Sequence, residues 1–256
     1  MCSEGGAYNP RMTRNPQDGG DWQEVTLQHV REIRRYNDWI FSHLQPHLGG
    51  RILELGCGIG TYSTRLRPFA TQLSCVDMDP GFVRQVRTMF GDDPGVVVSV
   101  GTVGGGLEFP PGSFDVAVCL NVLEHIEDDA AALRQLRSWL APGGRLVLQV
   151  PGHPFLYGSI DEALGHWRRY TRSRLTDALE RSGFELETPP RHLYVLAVPG
   201  WWWFGRVRRR RIVPATTVRV ANATVVLSQA LERILPWRMG LTLVAVARVP
   251  EMRATA

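Results

Sequence analysis

Read for the spacing of its apolar residues, the chain opens with a helical period from Trp22 to Leu48. Val25, Val30, Ile33, Trp39, Ile40 and Leu44 supply its apolar faces, and Pro46 with Gly49-Gly50 closes it. A short apolar run at Ile52–Leu55, bounded by glycine, predicts a buried strand entering a tight turn. Helical pattern resumes at Thr61. Gln72 to Val76 alternates as a second strand, Asp79 stands ready to cap a helix beginning at Pro80, and Val96 to Val100 reads as a third strand. Phe114 to Asn121 is the fourth. A helix from Asp128 to Leu140 carries Ala132, Leu133, Leu136 and Leu140 on one face, and Arg145 to Val150 forms the fifth strand. A helix after Thr171, a sixth strand from Gly183, a helix from Thr216 to Leu235 and a last strand from Leu241 to Val249 complete the pattern.

The first strand runs into Gly56-Cys57-Gly58-Ile59-Gly60. Alternating glycines adopt backbone conformations closed to other residues and let main chain lie directly against a ligand. The helical pattern beyond them aims a helix N-terminus at the same place. This is the layout of a cofactor pocket. A dinucleotide fingerprint would need its third glycine at Thr61, and a Walker phosphate loop would need a lysine, of which the chain has none. The second strand ends on Asp77, about 20 residues beyond the loop, where a β-α-β unit offers an acid to both hydroxyls of a ribose.

With Glu54 just ahead of the first glycine, the string E-L-G-C-G-x-G resembles the signature loop of class I S-adenosylmethionine-dependent methyltransferases. The F-D-V-A-x-x-x-x-V-L-E-H-I run at the fourth strand and the L-x-P-G-G-x-L-V-L run before the fifth resemble the same segments in small-molecule members. The resemblance covers residues 50 to 152. It implies an α/β fold: a Rossmann-like, seven-stranded, mostly parallel sheet with helices on both faces and an antiparallel last strand near the sheet edge. It also implies S-adenosylmethionine as cofactor. Gly56, Cys57, Gly58 and Gly60 would wrap its methionyl end, Glu54 would face its cationic side, and Met78 would flank the adenine. Asn121 and Val122 would lie against the methionyl end. Relatives often carry an Asp after the third strand for the adenine amino group; here Thr102 and Val103 stand there, which leaves that contact to a hydroxyl or to backbone. N-terminal helices of relatives cover the cofactor, and Tyr36 is a candidate for its carboxylate. The ubiquinone-type O-methyltransferases use E-x-x-E-H as a metal site. Asn121 replaces the first acid here, so no metal is expected, and His125 reads as an ordering residue behind the cofactor, on the acceptor side.

Composition changes little. An apolar content of 44% and a charged content of 21% are ordinary for a soluble protein, and 256 residues suit one large domain or a domain with a cap. All 29 basic residues are Arg, and a net charge of +4 makes no case for nucleic acid. The Asn/Asp-Pro-Pro-Tyr/Phe string of nucleic-acid methyltransferases is replaced by Asn121-Val122-Leu123-Glu124. Cys2, Cys57, Cys75 and Cys119 lack C-x-x-C spacing and read as free thiols. Residues 1 to 20 are polar and read as a loosely draped arm without a leader. No stretch approaches membrane-span length, and the expected compartment is the cytoplasm.

The acceptor must be met by the segments beyond the fifth strand. There, L-Y-G-x-x-D-x-x-x-G-H-x-R-R-Y resembles a bacterial subgroup found beside glycan, lipid-linked sugar and secondary-metabolite pathways. His166 is the candidate base by residue type, with Asp161 as its orienting partner and Tyr170 as a second polar contact. Tyr157 and Arg169 are candidates for the acceptor, Arg169 as a grip on an anionic group. Trp201 to Phe204, followed by Arg206 and Arg208 to Arg211, suits an acceptor pocket with Trp202 in its wall, a subunit interface, or an anionic membrane surface. The expected layout is an arm and helical cover over 1–50 and a methyltransferase domain over 51–256, capped by 151–172 and 190–240. The expected reaction is methyl transfer to oxygen or nitrogen of a small molecule, a bacterial secondary metabolite or a sugar-containing intermediate. Alternatives are a lipid-linked or membrane-associated acceptor and, outside the class, a non-catalytic cofactor-binding scaffold. Self-association stays open.

Overall fold

The structure is a computed structural model that describes residues 22–212, 214, 217–234 and 238–251. The expected arm and Cys2 lie outside the described residues. Seven strands form one sheet: β1 (Arg51–Leu55), β2 (Gln72–Asp77), β3 (Val96–Val100), β4 (Phe114–Leu120), β5 (Leu140–Pro151), β6 (Glu185–Leu193) and β7 (Thr242–Arg248). Their spatial order is β3-β2-β1-β4-β5-β7-β6. The first five are parallel, and β7 runs antiparallel between β5 and β6, one place in from the edge. Strand order reverses between β1 and β4. In such sheets the crevice at the strand C-termini beside that switch point is where ligands sit. Here the glycine loop leaves β1 and Asn121 leaves β4 at that point.

Residues alternate between faces along each strand, and the core follows that alternation. On one face Leu53, Leu55, Ala117, Cys119, Leu146 and Leu148 meet Leu133, Leu136 and Trp139 of α5 (Asp129–Trp139) and Leu175 and Leu179 of α7 (Arg172–Arg181). On the other, Ile52, Val116, Val118, Val147, Val244 and Val246 meet Trp39, Ile40 and Leu44 of α2 (Arg34–Leu44) and Val225 of α9 (Thr217–Ile234). After the short α3 (Ser63–Leu66) that follows the glycine loop, helix α4 (Pro80–Phe90) starts as its sequence suggests: the Asp79 carboxylate accepts from the Gly81 and Phe82 N–H groups, with Pro80 in the first turn.

The single N-terminal helix expected from periodicity is two helices, α1 (Trp22–Glu32) and α2, broken at Ile33. Fully buried Asn37 donates through Nδ2 to the Val30 and Arg31 carbonyls at 2.8 and 3.3 Å. A helix end leaves its last carbonyls short of partners; the Val30 carbonyl also accepts from the Ile33 N–H at 3.0 Å, and the Asn37 amide adds a donor to both, which makes the break tolerable inside the protein. Asn222 of α9 closes the same corner, accepting from the Arg35 N–H at 3.2 Å and donating to the Glu32 carbonyl at 3.3 Å. The expected cap also loses its first residues to the sheet, because β6 continues to Leu193. Beyond β5 the 151–172 segment holds α6 (Ser159–Leu164), and beyond β6 come α8 (Ala197–Trp202) and the π-helical turn Trp203–Val207.

Candidate active site

Two hydrogen bonds fasten the glycine loop to the end of β2: the Gly56 and Cys57 N–H groups donate to the Val76 carbonyl at 2.8 and 3.0 Å. Gly56 lies at φ +73°, and a Cβ there would run into the side chain of Val122. The glycine therefore lets the loop rest directly against the chain leaving β4. Asp77, 7% exposed, takes the Gly58 N–H on Oδ2 at 2.8 Å and the Asp79 N–H on Oδ1 at 2.9 Å. A carboxylate has about four lone-pair sites, so two remain for a ligand. Burial raises the Asp77 pKa above the usual carboxylate value, and backbone N–H donors, those of Asp79 and Gly58 first and Met78 after them, pull it back. Glu54 is buried and accepts from the Ser63 hydroxyl at 2.5 Å and the Cys75 thiol at 3.4 Å; burial pushes it up to about 7.

These groups line one cavity. Met78 and Thr102 stand at its β2–β3 side, Asn121, Val122 and His125 at its β4 side, and Leu27 and Val30 of α1 close over it. Asn121 holds φ +54°, a left-handed conformation that Asn tolerates better than most residues, and its N–H donates to the Gln149 carbonyl at 2.8 Å. Of the expected cofactor residues, Glu54, Gly56, Cys57, Gly58, Asp77, Met78, Thr102, Asn121 and Val122 are in the wall. Gly60 is behind it, at φ +78° against Met89. Val103 is turned into the core. Tyr36 also differs from expectation: its hydroxyl accepts from Gln149 Nε2 at 3.0 Å and its ring packs on Tyr194. The phenol in the wall is Tyr62, which donates to Asn37 Oδ1 at 3.0 Å. Periodicity marked Tyr62 only as helical, so its place could not be read from sequence.

The cap residues depart most from expectation. His166 is 8% exposed and lies behind His125, ring edge to ring face at 4.7 Å, so His125 and not His166 reaches the cavity wall. His166 Nδ1 is 2.9 Å from Asp161 Oδ1, the pairing that the sequence suggested. Burial alone would raise the Asp161 pKa; His166 and Arg169 hold it below the usual value. Arg169 is not open to an acceptor: it donates to Asp161 at 2.8 Å and to the Gly152 carbonyl at 3.0 Å, and it stacks on Trp201. Tyr157 donates to the His166 carbonyl at 2.8 Å. Tyr170 is fully buried and donates to Asp129 Oδ2 at 2.9 Å, away from the cavity wall. Trp202 is 44% exposed and faces outward; its neighbour Trp201 is the one turned in. One buried charge organises the cap: the Asp161 carboxylate must be neutralised once buried, and the sequence surrounds it with His166, Arg169 and Trp201.

Beneath the cavity, ligand atoms of Glu124, His125 and His166 lie within 4.8 Å of one another. Burial pushes Glu124 up to about 7, opposed by His166 and Arg169. Burial and the neighbouring His166 hold His125 well below the usual histidine value, so its ring stays neutral. The loop that packs without side chains at Gly56 and the half-used Asp77 carboxylate fit an adenosyl cofactor bearing a ribose.

Comparisons with known proteins agree with that geometry. A family model described as a methyltransferase domain matches residues 26–188. A ubiquinone biosynthesis O-methyltransferase of Xanthomonas euvesicatoria is 29% identical over 161 residues, 57% of this chain and 67% of that protein. An S-adenosylmethionine-dependent methyltransferase from Mesorhizobium loti aligns over 82% of this chain and 96% of its own, with a TM-score of 0.58 and 21% identity. A Haemonchus contortus phosphoethanolamine N-methyltransferase, solved with phosphomonomethylethanolamine and S-adenosylhomocysteine, aligns over 84% of this chain and 53% of its own, with a TM-score of 0.58 and 20% identity. At those identities the two structures speak for the fold alone.

Proposed function

The chain belongs to the class I S-adenosylmethionine-dependent methyltransferases, and from that membership we propose that it methylates an oxygen or nitrogen of a small bacterial metabolite, a secondary metabolite or sugar-containing intermediate. When bound, S-adenosylmethionine supplies an electrophilic methyl group. The chain's own residues do the rest. The glycine loop holds the methionyl end and Asp77 the ribose, while Glu54 sets a carboxylate near a cationic ligand. Leu27 and Val30 shield the cavity from water. In-line transfer asks mainly for positioning, and an oxygen or nitrogen acceptor must also give up a proton. The observation that carries the reading is the polar cluster of Glu124, His125 and His166 directly behind the Asn121–Val122 wall, with His125 part of that wall. That cluster puts imidazole and carboxylate, not hydrocarbon, behind this side of the cavity.

The test is transfer of a labelled methyl group to a panel of phenols, sugar alcohols and amines. Turnover with any of them supports the reading; tight S-adenosylhomocysteine binding with no turnover across the panel favours the scaffold alternative. A second reading, an acceptor carried on a lipid, is supported by one observation. Trp202, Trp203 and Val207 are 44%, 48% and 45% exposed beside Arg206 and Arg208–Arg210. Among the described residues no helix is long and apolar enough to cross a membrane, so such contact would be peripheral. Turnover restricted to lipid-tailed acceptors in vesicles would select this reading. Cytoplasmic location and self-association remain part of the proposal.

A further inference from the structure

β5 is an interior strand between β4 and β7, and in its apolar run Leu146-Val147-Leu148-Gln149-Val150 one residue is polar. Gln149 is 1% exposed. A buried amide costs more than a leucine of similar size unless its polar atoms are used. Its Oε1 has no hydrogen-bond partner, so the side chain acts through Nε2. One N–H of that group goes to the Tyr36 hydroxyl at 3.0 Å and the other to Asn121 Oδ1 at 3.4 Å.

The direction of these bonds is set from behind. The Thr242 hydroxyl donates to the Val150 carbonyl at 3.0 Å, so in its hydrogen bond with Tyr36 it can only accept. The phenol proton is committed there, and the phenol oxygen is left to accept from Gln149. An amide held by Nε2 on Tyr36 presents its second N–H to Asn121, which must answer with Oδ1. The Asn121 backbone is held by the same residue: at φ +54°, its N–H donates to the Gln149 carbonyl at 2.8 Å. With Oδ1 turned inward, Nδ2 is the end left toward the cavity, where Asn121 is an exposed part of the wall. A run of donors that starts at a β5 carbonyl therefore ends as two N–H groups offered to a ligand.

What they meet follows from the cavity's layout, on the reading that it takes S-adenosylmethionine. Asp77 holds the ribose at the end of β2, with Met78 and Thr102 on the adenine side. The amino-acid end then extends toward β1 and β4, where Glu54 and Asn121 stand. That end carries an ammonium, which has only donors, a sulfur, which accepts weakly or not at all, and a carboxylate. We propose that Gln149 is a positioning residue for the cofactor: backed by Tyr36 and Thr242, it locks the Asn121 amide with its N–H groups toward that carboxylate. Glu54 and Asn121 thus divide the amino-acid end by charge, the acid serving the ammonium and the amide donors the carboxylate.

The test is calorimetry with two ligands, S-adenosylhomocysteine, which has the amino-acid end, and 5′-methylthioadenosine, which lacks it. Asn121→Gly, which suits φ +54°, should weaken S-adenosylhomocysteine binding by about 10–100-fold. Gln149→Leu should weaken it by at least about fivefold, and the double variant should lie within about twofold of Asn121→Gly alone. Asn121→Asp, which sets carboxylate against carboxylate, should cost at least as much as Asn121→Gly. Affinity for 5′-methylthioadenosine should stay within about threefold throughout. Should Gln149→Leu fail to fold, the wild-type protein decides: NMR resonances of the Asn121 side-chain N–H groups, identified by their loss in Asn121→Asp, should shift with S-adenosylhomocysteine and not with 5′-methylthioadenosine. Equal weakening of both ligands, additive losses in the double variant, unchanged S-adenosylhomocysteine affinity in either single variant, or resonances that S-adenosylhomocysteine leaves in place would each overturn the proposal. Wild-type protein that binds neither ligand would sink the cofactor reading itself, and this proposal with it.

Discussion

Asp77 does two jobs that one substitution can separate. In the protein alone its carboxylate accepts from the Gly58 and Asp79 N–H groups at 2.8 and 2.9 Å, and it is 7% exposed. Asp77→Ala removes both acceptors and leaves two N–H groups short of a partner. At about 1.5–3 kcal/mol for a hydrogen bond to a charged group, a stability loss of at least about 3 kcal/mol is expected, which is at least about 6 °C in Tm for a chain of this size. The two lone-pair sites that remain are assigned to the ribose hydroxyls. Losing both costs at least about 3 kcal/mol of binding, more than about a hundredfold in affinity. Calorimetry with S-adenosylhomocysteine, run well below the lowered Tm, reads the second effect and a thermal melt reads the first. Asp77→Asn, which keeps one acceptor without charge, should fall between. A lowered Tm with affinity within about threefold of wild type would show that Asp77 only anchors the loop, and the ribose assignment would be refuted.

Gly56→Ala places a side chain at φ +73° and against Val122, so S-adenosylhomocysteine affinity should fall by at least about tenfold while the fold persists; calorimetry showing unchanged affinity would exclude the loop from the cofactor wall. Tyr170→Phe deletes the bond to Asp129 and should cost about 1–2 kcal/mol in denaturant unfolding, with methyl-transfer rate nearly unchanged; a hundredfold rate loss would return this phenol to the acceptor site. His192 tests the pH response. It is 4% exposed and stacked on His153 at 4.1 Å, and burial first, then the His153 and Arg172 charges, hold its pKa at about 4. The unfolded ring protonates near pH 6.5, so over about pH 4–6.5 the unfolded state binds the extra proton. Stability from this group is complete above that window and lost as pH falls through it, by at most about 3 kcal/mol. His192→Gln should flatten the stability curve between those limits; parallel curves for variant and wild type would show that the ring is not held neutral.

Some of this was legible because it depends on neighbours in sequence. Strand alternation, the Asp79 cap before Pro80 and the glycine loop depend on backbone preferences within a few residues, and the chain writes them locally. Asp77 was readable for a related reason: β-α-β geometry fixes which residue ends the second strand beside the loop. The helix break at Ile33 was not readable, since nothing within Trp22–Leu48 announces that the Asn37 amide will turn back to the Val30 and Arg31 carbonyls.

The cap inverted its residues because their roles depend on one buried charge. His166, Arg169 and Tyr170 look equally available as letters in a polar string. Once Asp161 is buried, desolvation requires His166 and Arg169 for its compensation, and Tyr170 turns instead to Asp129. His125 gained the cavity wall by the same folding. Sequence by itself determined the family, the sheet and the glycine–carboxylate cradle, because each is carried by residues close along the chain or tied by one β-α-β spacing. The meeting of Glu124 and His125 with His166 was decided only by the tertiary structure: residues on two separate segments share a desolvated space, and their electrostatics depend on distance through that space.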